Sequence, residues 1–239
     1  MKLKVFYHLS DRIDRPEVPS ELLPGVDIAR EQLSLLKSSG LLDNATVYCN
    51  LHYNEGNWEK IKQEFDHKNI VWVFKESKKE DREHTTNIFM KEMADNSEEE
   101  FYALYLNQKG VSYVEGIHDC AVQCKHWRWI QDYWNISQWE NCVKKLDEGF
   151  DAVGCLLSNR PPIGFLGTTS WAKSSFIKKC NKLTLPSTNG FKVEVPSNGY
   201  GYACDVEYWY SSNNAKMFSF YNTGVDHYAV EWPPERYRK

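Results

Sequence analysis

Strand-like and helix-like segments alternate through the first two thirds of the chain, and this alternation constrains the fold more than any other feature. Short apolar runs with strand composition lie at 3–9, 46–52, 70–74, 102–107 and 152–157. Amphipathic segments with helical periodicity lie at 26–37, 58–65, 85–94, 117–134 and 138–146. Strands that alternate with helices form a mostly parallel sheet covered by helices on both faces. The sequence therefore predicts an α/β fold.

The remaining third of the chain is less regular. A loop with adjacent prolines is predicted at 158–164, a helix at 171–180, and an excursion rich in Gly, Pro and Ser at 186–201. No internal repeat and no linker-like composition divides the sequence, which favours a single domain over residues 1–239.

Charge and hydropathy weigh against several classes of partner. The formal net charge is −4 and no basic stripe is present, which argues against nucleic acid. No apolar run approaches the roughly 20 residues of a membrane-spanning helix, and charged residues follow the first strand at once, unlike a signal peptide. The seven cysteines form no disulfide framework. A cytoplasmic protein is expected.

Aromatic residues are unusually frequent, with 9 Trp, 14 Tyr and 11 Phe. Most are expected in the core. Sugars and nucleobases also stack on aromatic rings, so the composition is compatible with a carbohydrate or nucleotide site. The glycine-rich dinucleotide turn, the phosphate loop, the Gly-x-Ser-x-Gly elbow and the His-Glu-x-x-His motif are all missing from the sequence, which argues against the enzymes that use them.

The predicted sheet points to a site at the carboxyl ends of its strands, where α/β proteins bind ligands. The segments placed there are 8–10, 51–53, 75–77 and 108–112. Lys109 offers a cation for a diphosphate and Gly110 allows close approach of the backbone. The alternative is an ordinary strand end with a solvated lysine.

Arg128 lies in the following predicted helix, between two tryptophans. A guanidinium can bind a phosphate through two parallel hydrogen bonds, or it can pair with a nearby acid. Both interpretations fit the sequence.

A run of small and hydroxyl-bearing residues, including Thr168, leads into Trp171 at the start of the helix predicted at 171–180. Free N–H groups at a helix start suit a ligand oxygen, and an indole suits a sugar ring. An ordinary helix cap is the alternative.

Asp205 and Glu207 are the candidate catalytic carboxylates. A transferase that inverts the anomeric centre needs one carboxylate to deprotonate the attacking hydroxyl. Residues two apart in a helix point to different faces, so only one of them is expected to act. A solvated acidic pair is the alternative.

Taken in order, these segments resemble a family of GT-A-like glycosyltransferases of bacteria, algae and large algal viruses. The family pattern contains Tyr-x-His-Thr-Lys-Gly, Trp-Arg, Val-Gly-Cys, Gly-x-x-x-Trp-Ala-Lys, Glu-x-Trp and His-Tyr. Similar segments lie here at 105–110, 127–128, 153–155, 167–173, 207–209 and 227–228, and the resemblance covers about residues 70–239. Asn107 and Gln108 replace the His-Thr of the pattern, and Thr168–Ser170 also departs from it, so the donor sugar does not follow from the resemblance.

The resemblance implies a GT-A-like fold with an irregular C-terminal, acceptor-side half. Residues 1–115 would bind the nucleotide sugar, expected to be UDP-linked, and residues 116–239 a carbohydrate acceptor. The expected donor and phosphate residues are Tyr7, His8, Lys109, Gly110 and Arg128. The expected acceptor residues are Thr168, Trp171, Trp209 and His227.

Two sources of positive charge for the leaving diphosphate stay open. Enzymes of the GT-A fold usually hold Mn²⁺ or Mg²⁺ through Asp-x-Asp, which this sequence lacks. The nearest approximation is Asp205-x-Glu207, so Asp205 is the candidate metal ligand, with Glu207 and His227 as alternatives. Lys109 and Arg128 could supply the charge instead.

Three other functions remain as alternatives. A non-catalytic carbohydrate-binding module would use the same aromatic residues. A methyltransferase would need a glycine-rich turn after the first strand, which is missing here. A structural protein could have kept the fold and lost the chemistry.

Overall fold

The computed structural model describes residues 1–10, 17–19, 22–52, 58–74, 78, 81–158, 163–185 and 206–238. It is a mixed α/β structure built on a seven-stranded, mostly parallel sheet flanked by helices. The strands are β1 Lys2–Ser10, β2 Ala45–His52, β3 Ile70–Phe74, β4 Phe101–Leu106, β5 Ala152–Gly154, β6 Ser170–Lys173 and β7 Met217–Ser219. The helices are α1 Pro24–Ser38, α2 Leu41–Asn44, α3 Glu59–Glu64, α4 His84–Asp95, α5 Ala121–Asp132, α6 Trp139–Asp147 and α7 Ser174–Ile177.

The strand order is β3-β2-β1-β4-β6-β5-β7. The first four strands in this order are parallel, β6 is antiparallel to both its neighbours, and β7 is parallel to β5. All six residues of β4 are buried, as expected for a central strand covered on both faces. The strands predicted at 3–9, 46–52, 70–74 and 102–107 are confirmed to within one residue at each end.

The order of the parallel strands creates a crevice between β1 and β4. From β1 the chain moves outward to β2 and β3, and then returns to place β4 on the other side of β1. In open α/β sheets, ligands bind at the carboxyl ends of the strands where the order reverses in this way. Here that position lies between Ser10 and Leu106.

Helices cover both faces of the sheet. One core cluster contains apolar residues of α1 and α6, and the other contains those of α4 and α7. The helix predicted at 117–134 begins later, at Ala121, and continues beyond Asp132 as a π-helical turn over Tyr133–Ser137. Within the described residues, no helix has both the length and the apolar character needed to cross a bilayer.

The helix predicted at 171–180 is wrong. Ser170–Lys173 is strand β6, and only Ser174–Ile177 is helical. The strand is inserted between β4 and β5, and Trp171 and Ala172 are fully buried there. Hydrogen bonding to two neighbours and burial on both faces override local helix propensity. The helix start predicted at Trp171 does not exist.

The strand predicted at 152–157 is too long. Strand β5 ends at Gly154, and Leu156 has a φ of 58°, which a β-strand does not allow. Leu157 then forms an isolated bridge with Phe165. The excursion predicted at 186–201 and most of the loop predicted at 158–164 lie outside the described residues.

Candidate functional site

The carboxyl edge of the sheet brings together several of the residues predicted to be functional. The carboxyl ends of β1, β4, β5 and β7 lie at this edge, and the antiparallel β6 begins there. The turn after β4 carries Lys109, the loop before β6 carries Thr168, and the segment after β7 carries His227. Segments far apart in sequence therefore meet at one place.

The crevice between β1 and β4 is spanned by the side chain of Gln108. Its Oε1 accepts a hydrogen bond from the Ser10 backbone N–H at 2.7 Å, and its Nε2 donates to the carbonyl oxygen of Gly25. Gln108 therefore joins the ends of the two strands and the first turn of α1.

Tyr7 and His8 lie below this edge and face the interior. Tyr7 is fully buried and donates to Gln32 Oε1 at 2.5 Å. His8 Nδ1 lies 2.9 Å from the hydroxyl of Thr86. Tyr7 has no exposed surface for a nucleotide, so we assign it to the support of the edge.

Lys109 is partly exposed at the edge and lies among aromatic rings. Its Nζ is 3.7 Å from the centroid of the Trp127 ring and donates to the Tyr228 hydroxyl at 3.1 Å. Tyr228 is 42% exposed. An ammonium over an aromatic face is held by the attraction of the ring quadrupole.

Gly110 completes the turn with a φ of +93°, a conformation that favours glycine. A Cβ at this position would lie 3.4 Å from Cys124 Cβ and 3.5 Å from Arg128 Nη1. The turn therefore packs closely against α5.

Arg128 supports the turn from below. It is buried, its Nη2 donates to Glu31 Oε2 at 2.8 Å, and its Nη1 donates to the Lys109 carbonyl oxygen at 3.1 Å. Of the two interpretations of the sequence, pairing with an acid is the one present in the structure. Arg128 fixes the backbone that carries Lys109.

The loop before β6 holds Thr168 in an unusual conformation. Its φ of 67° is rare for a β-branched residue, and strained residues of this kind concentrate at functional sites. The Thr168 hydroxyl accepts a hydrogen bond from Asn107 Nδ2 at 2.6 Å, and Thr169 Oγ1 donates to Asn107 Oδ1 at 3.2 Å. Asn107 therefore ties this loop to the end of β4.

Glu207 lies against the same loop. Its Oε1 accepts a hydrogen bond from the Gly167 backbone N–H at 2.8 Å, and it lines a small cavity together with Thr168 and Tyr105. Burial raises the pKa of the Glu207 carboxyl; the Lys109 ammonium lowers it and the Glu83 carboxylate raises it further. Glu207, Lys109 and Glu83 are therefore near enough to influence one another.

Glu83 is a residue of this site that the sequence did not indicate. It directly precedes α4, and burial raises the pKa of its carboxyl, whereas Lys109, Arg82 and a hydrogen bond with Asn107 lower it. The expectation that ligands bind at the carboxyl ends of strands pointed instead to residues 75–77, immediately after β3. An acid at the position just before the next helix was the only available signal, and acids near helix N-termini are common.

His227 is buried behind Lys109. Its Nε2 lies 2.7 Å from the Thr223 hydroxyl, and its ring centroid is 5.4 Å from that of Trp127. Burial lowers the pKa of His227 to about 4, an effect that nearby Asp226 opposes and Lys109 reinforces. The imidazole is therefore neutral at pH 7.

The two tryptophans predicted to stack on sugars are core residues. Trp171 is 0% exposed and donates to the Asn135 carbonyl oxygen at 2.9 Å. Trp209 is also buried and donates to the Asn181 carbonyl oxygen at 2.9 Å. Trp171 therefore presents no face to a ligand, whereas Trp209 lines the small cavity beside Glu207.

Asp205, the candidate metal ligand and alternative base, lies outside the described residues. Across the part of the chain that the structure describes, no three His, Cys, Asp or Glu side chains form a cluster that could hold a metal ion.

Fold and site together define an α/β protein with a lysine and two half-buried carboxyls at the carboxyl edge of its sheet. No known protein family matches the chain, and comparison with curated proteins found no relative.

Proposed function

We propose that this protein is a glycosyltransferase that moves a sugar from a nucleoside-diphosphate donor, expected to be UDP-linked, to a hydroxyl of a carbohydrate acceptor. The observation that carries the proposal is the placement of Lys109 near Glu207 and Glu83, beside the β1–β4 crevice. A transferase of this kind needs a cation for the leaving diphosphate and a carboxylate for the attacking hydroxyl.

The geometry suits a division of roles between Lys109 and Glu207. As the acceptor oxygen bonds to the anomeric carbon, the bond from that carbon to the diphosphate oxygen breaks and the diphosphate leaves with the bonding electron pair. The acceptor proton passes to Oε2 of Glu207, because Oε1 accepts the hydrogen bond of the Gly167 N–H. The Lys109 ammonium stabilises the charge on the departing oxygen.

A raised pKa suits Glu207 to this role. A carboxylate with a pKa nearer to neutral is a stronger base than a solvated one, yet remains ionised when the solution pH is above that pKa. Glu83 contributes because its charge raises the pKa of Glu207.

The sheet supports a GT-A-like architecture, which combines a nucleotide-binding α/β half and an acceptor-binding half in one domain. Strands β1–β4 form a parallel half with the crevice, and β5–β7 form a mixed half that continues the same sheet. The departures of Asn107 and Gln108 from the family pattern have structural reasons here, since both side chains bind neighbouring segments.

The proposal does not require a divalent ion, and its effect is tested below by comparing Mn²⁺ with EDTA. Glu207, a carboxylate at this edge, could ligate Mn²⁺ or Mg²⁺, and Asp205 lies two residues before it in the sequence. Such an ion would neutralise the diphosphate when bound.

Thermal melts with nucleotides test the proposal. UDP, GDP, CMP, ADP and S-adenosylmethionine would each be added with Mn²⁺ or with EDTA. A ligand at about 100 times its dissociation constant adds roughly 2.7 kcal/mol to stability, and each kcal/mol raises the melting temperature by about 2–4 °C at this size. We expect one nucleoside diphosphate to raise it by several degrees. A glycan that stabilises the protein while no nucleotide does would instead indicate a carbohydrate-binding module.

A further inference from the structure

A buried polar network beneath the candidate site joins two helices to the carboxyl end of β4. The side chain of Asp132, at the end of α5, is 4% exposed, and its Oδ1 accepts a hydrogen bond from Gln32 Nε2 at 2.8 Å. Gln32 Nε2 also donates to the Asn107 carbonyl oxygen at 3.1 Å, while Gln32 Oε1 accepts from Tyr7. One amide therefore connects α1, α5, β1 and the end of β4.

Arg128 provides a second connection, one helical turn before Asp132. Its guanidinium donates to Glu31 through Nη2 and to the Lys109 carbonyl oxygen through Nη1. Its third nitrogen, Nε, lies 4.0 Å from Asp132 Oδ2, and neither atom has a hydrogen-bond partner among the described residues. A buried polar atom without a partner costs free energy, so a small movement that closes this gap is favourable when Asp132 is charged.

We propose that Asp132 is a proton-dependent positioning residue for the candidate site. When Asp132 loses its proton, the Arg128 Nε–H is drawn onto Oδ2, and the Lys109 carbonyl that the same guanidinium holds moves with it. The consequence for ligand binding rests on the proposed function, because it assumes that Lys109 contacts the donor; the movement itself does not.

The surroundings of Asp132 place its proton exchange near neutral pH. Burial raises the pKa of the Asp132 carboxyl to about 7, with Arg128 and the Gln32 hydrogen bond opposing and Glu31 reinforcing the rise. A groove of about 470 Å³ between α1, α5 and the C-terminal segment gives solvent access to this region. The titratable and charged groups that face Asp132 are Arg128 on its own helix, Glu31 of α1, Tyr7 of β1, Cys155 after β5, and Tyr237 and Arg238 of the C-terminal segment.

The thiol and the two phenols in that set do not titrate near neutral pH. Burial raises the pKa of Cys155 and of Tyr7 far above neutral, and raises that of Tyr237 to about 12. Their charges therefore stay constant while Asp132 changes its own.

An NMR titration of the unliganded protein tests the movement without reference to activity. The amide signals of residues 107–110 would be followed from pH 5.5 to 8.5 in wild type, Asp132→Asn and Glu31→Gln. We expect wild type to show a transition with a midpoint near 7 and Asp132→Asn to lack it. Glu31→Gln should keep the transition with a lower midpoint, because the Glu31 charge raises the pKa of Asp132. An unchanged transition in Asp132→Asn, or none in wild type, would overturn the proposal.

Calorimetry with a UDP-sugar tests the consequence for the site. The diphosphate of a UDP-sugar is a diester, so its charge is constant across this pH range. We expect the Kd of wild type to change by about fivefold or more between pH 6 and pH 8, in the range of ordinary coupling energies. The Kd of Asp132→Asn should change by less than about twofold over the same pH range.

The two measurements separate the two proposals. An NMR transition without binding of any UDP-sugar would support the movement and contradict a UDP-linked donor as the ligand of the proposed function. Binding with the same pH dependence in wild type and Asp132→Asn would support the function and contradict the positioning role.

Discussion

At the scale of single residues, the chemistry of the site depends on one cation and two carboxyls held in partial burial. Lys109 is supported on the Trp127 ring, while Glu207 is fixed by the Gly167 N–H. Burial raises the pKa of Glu207 and Glu83, so the folded state binds protons more tightly than the unfolded state does. These carboxylates therefore lower the stability of the folded state as the pH rises above their pKa values in the unfolded chain.

Glu207→Gln separates catalysis from folding. Glutamine keeps the acceptor oxygen for the Gly167 N–H but cannot take a proton, so the transfer rate should fall by about 10²–10⁴-fold. The melting temperature at pH 8 should be equal to or above that of wild type, because a buried charge has been removed. Steady-state transfer assays and thermal melts on the same preparations measure both. Full activity in this variant would remove Glu207 as the base.

His227 makes the opposite contribution to the dependence of stability on pH. Burial lowers its pKa to about 4, so the unfolded state binds more protons below pH 6.5 and stability falls as the pH decreases. His227→Gln should reduce this slope by up to about 1 kcal/mol per pH unit. Urea unfolding at pH 7, 6 and 5 measures the slope. An identical slope in the variant would show that the imidazole is not buried in its neutral form.

At the scale of elements, local patterns predicted the parallel half of the sheet but not the mixed half. Strands β1–β4 are apolar runs bounded by polar residues, and periodicity alone identifies them. Strand β6 has only four residues, and its burial comes from β4 and β5, which are distant in sequence. No local pattern records such a contact, so the segment was predicted as a helix.

Local sequence patterns likewise predicted only part of the candidate site. Lys109 follows a strong strand, and Glu207 is one of two neighbouring carboxylates, with Asp205, that suit a catalytic base, so both could be named from sequence. Glu83 reaches the site only because α4 begins at this edge. Trp171 and Trp209 are buried, and their burial could not be predicted because aromatic residues suited to sugar stacking are equally suited to a core.

Gly164→Ala tests the packing of the loop against Glu207. A Cβ at this position would overlap with the Glu207 carbonyl oxygen, so the backbone itself must move. We expect a loss of more than about 2 kcal/mol of stability, as for overpacked core positions, together with loss of activity.

Gly149→Ala is the matched control for this change. A Cβ there meets no atom within 4 Å, so only the strain of its positive φ, roughly 1–2 kcal/mol, should appear in unfolding experiments. Equal effects of the two substitutions on stability and activity would contradict the close packing of the loop on Glu207.

At the scale of the whole molecule, one sheet connects the crevice between β1 and β4 to the loops that carry Thr168, Glu207 and His227. The antiparallel β6 is central to this arrangement, because it brings the loop before it to the carboxyl edge of its parallel neighbours. The segment after β7 then places Tyr228 against Lys109. Both halves of the chain are therefore required to build the site.

Isothermal titration calorimetry of nucleoside diphosphates with wild type, Lys109→Ala and Lys125→Ala tests this account most directly. Lys125 is a matched control. Its ammonium also lies near a tryptophan ring of α5, that of Trp129, but it forms an ion pair with Glu115. We predict that one nucleoside diphosphate binds wild type and Lys125→Ala equally. Lys109→Ala should bind it about 10- to 100-fold more weakly, the usual value of a charged hydrogen bond. Equal binding by all three proteins, or binding by none, would contradict the assignment of Lys109 to the diphosphate.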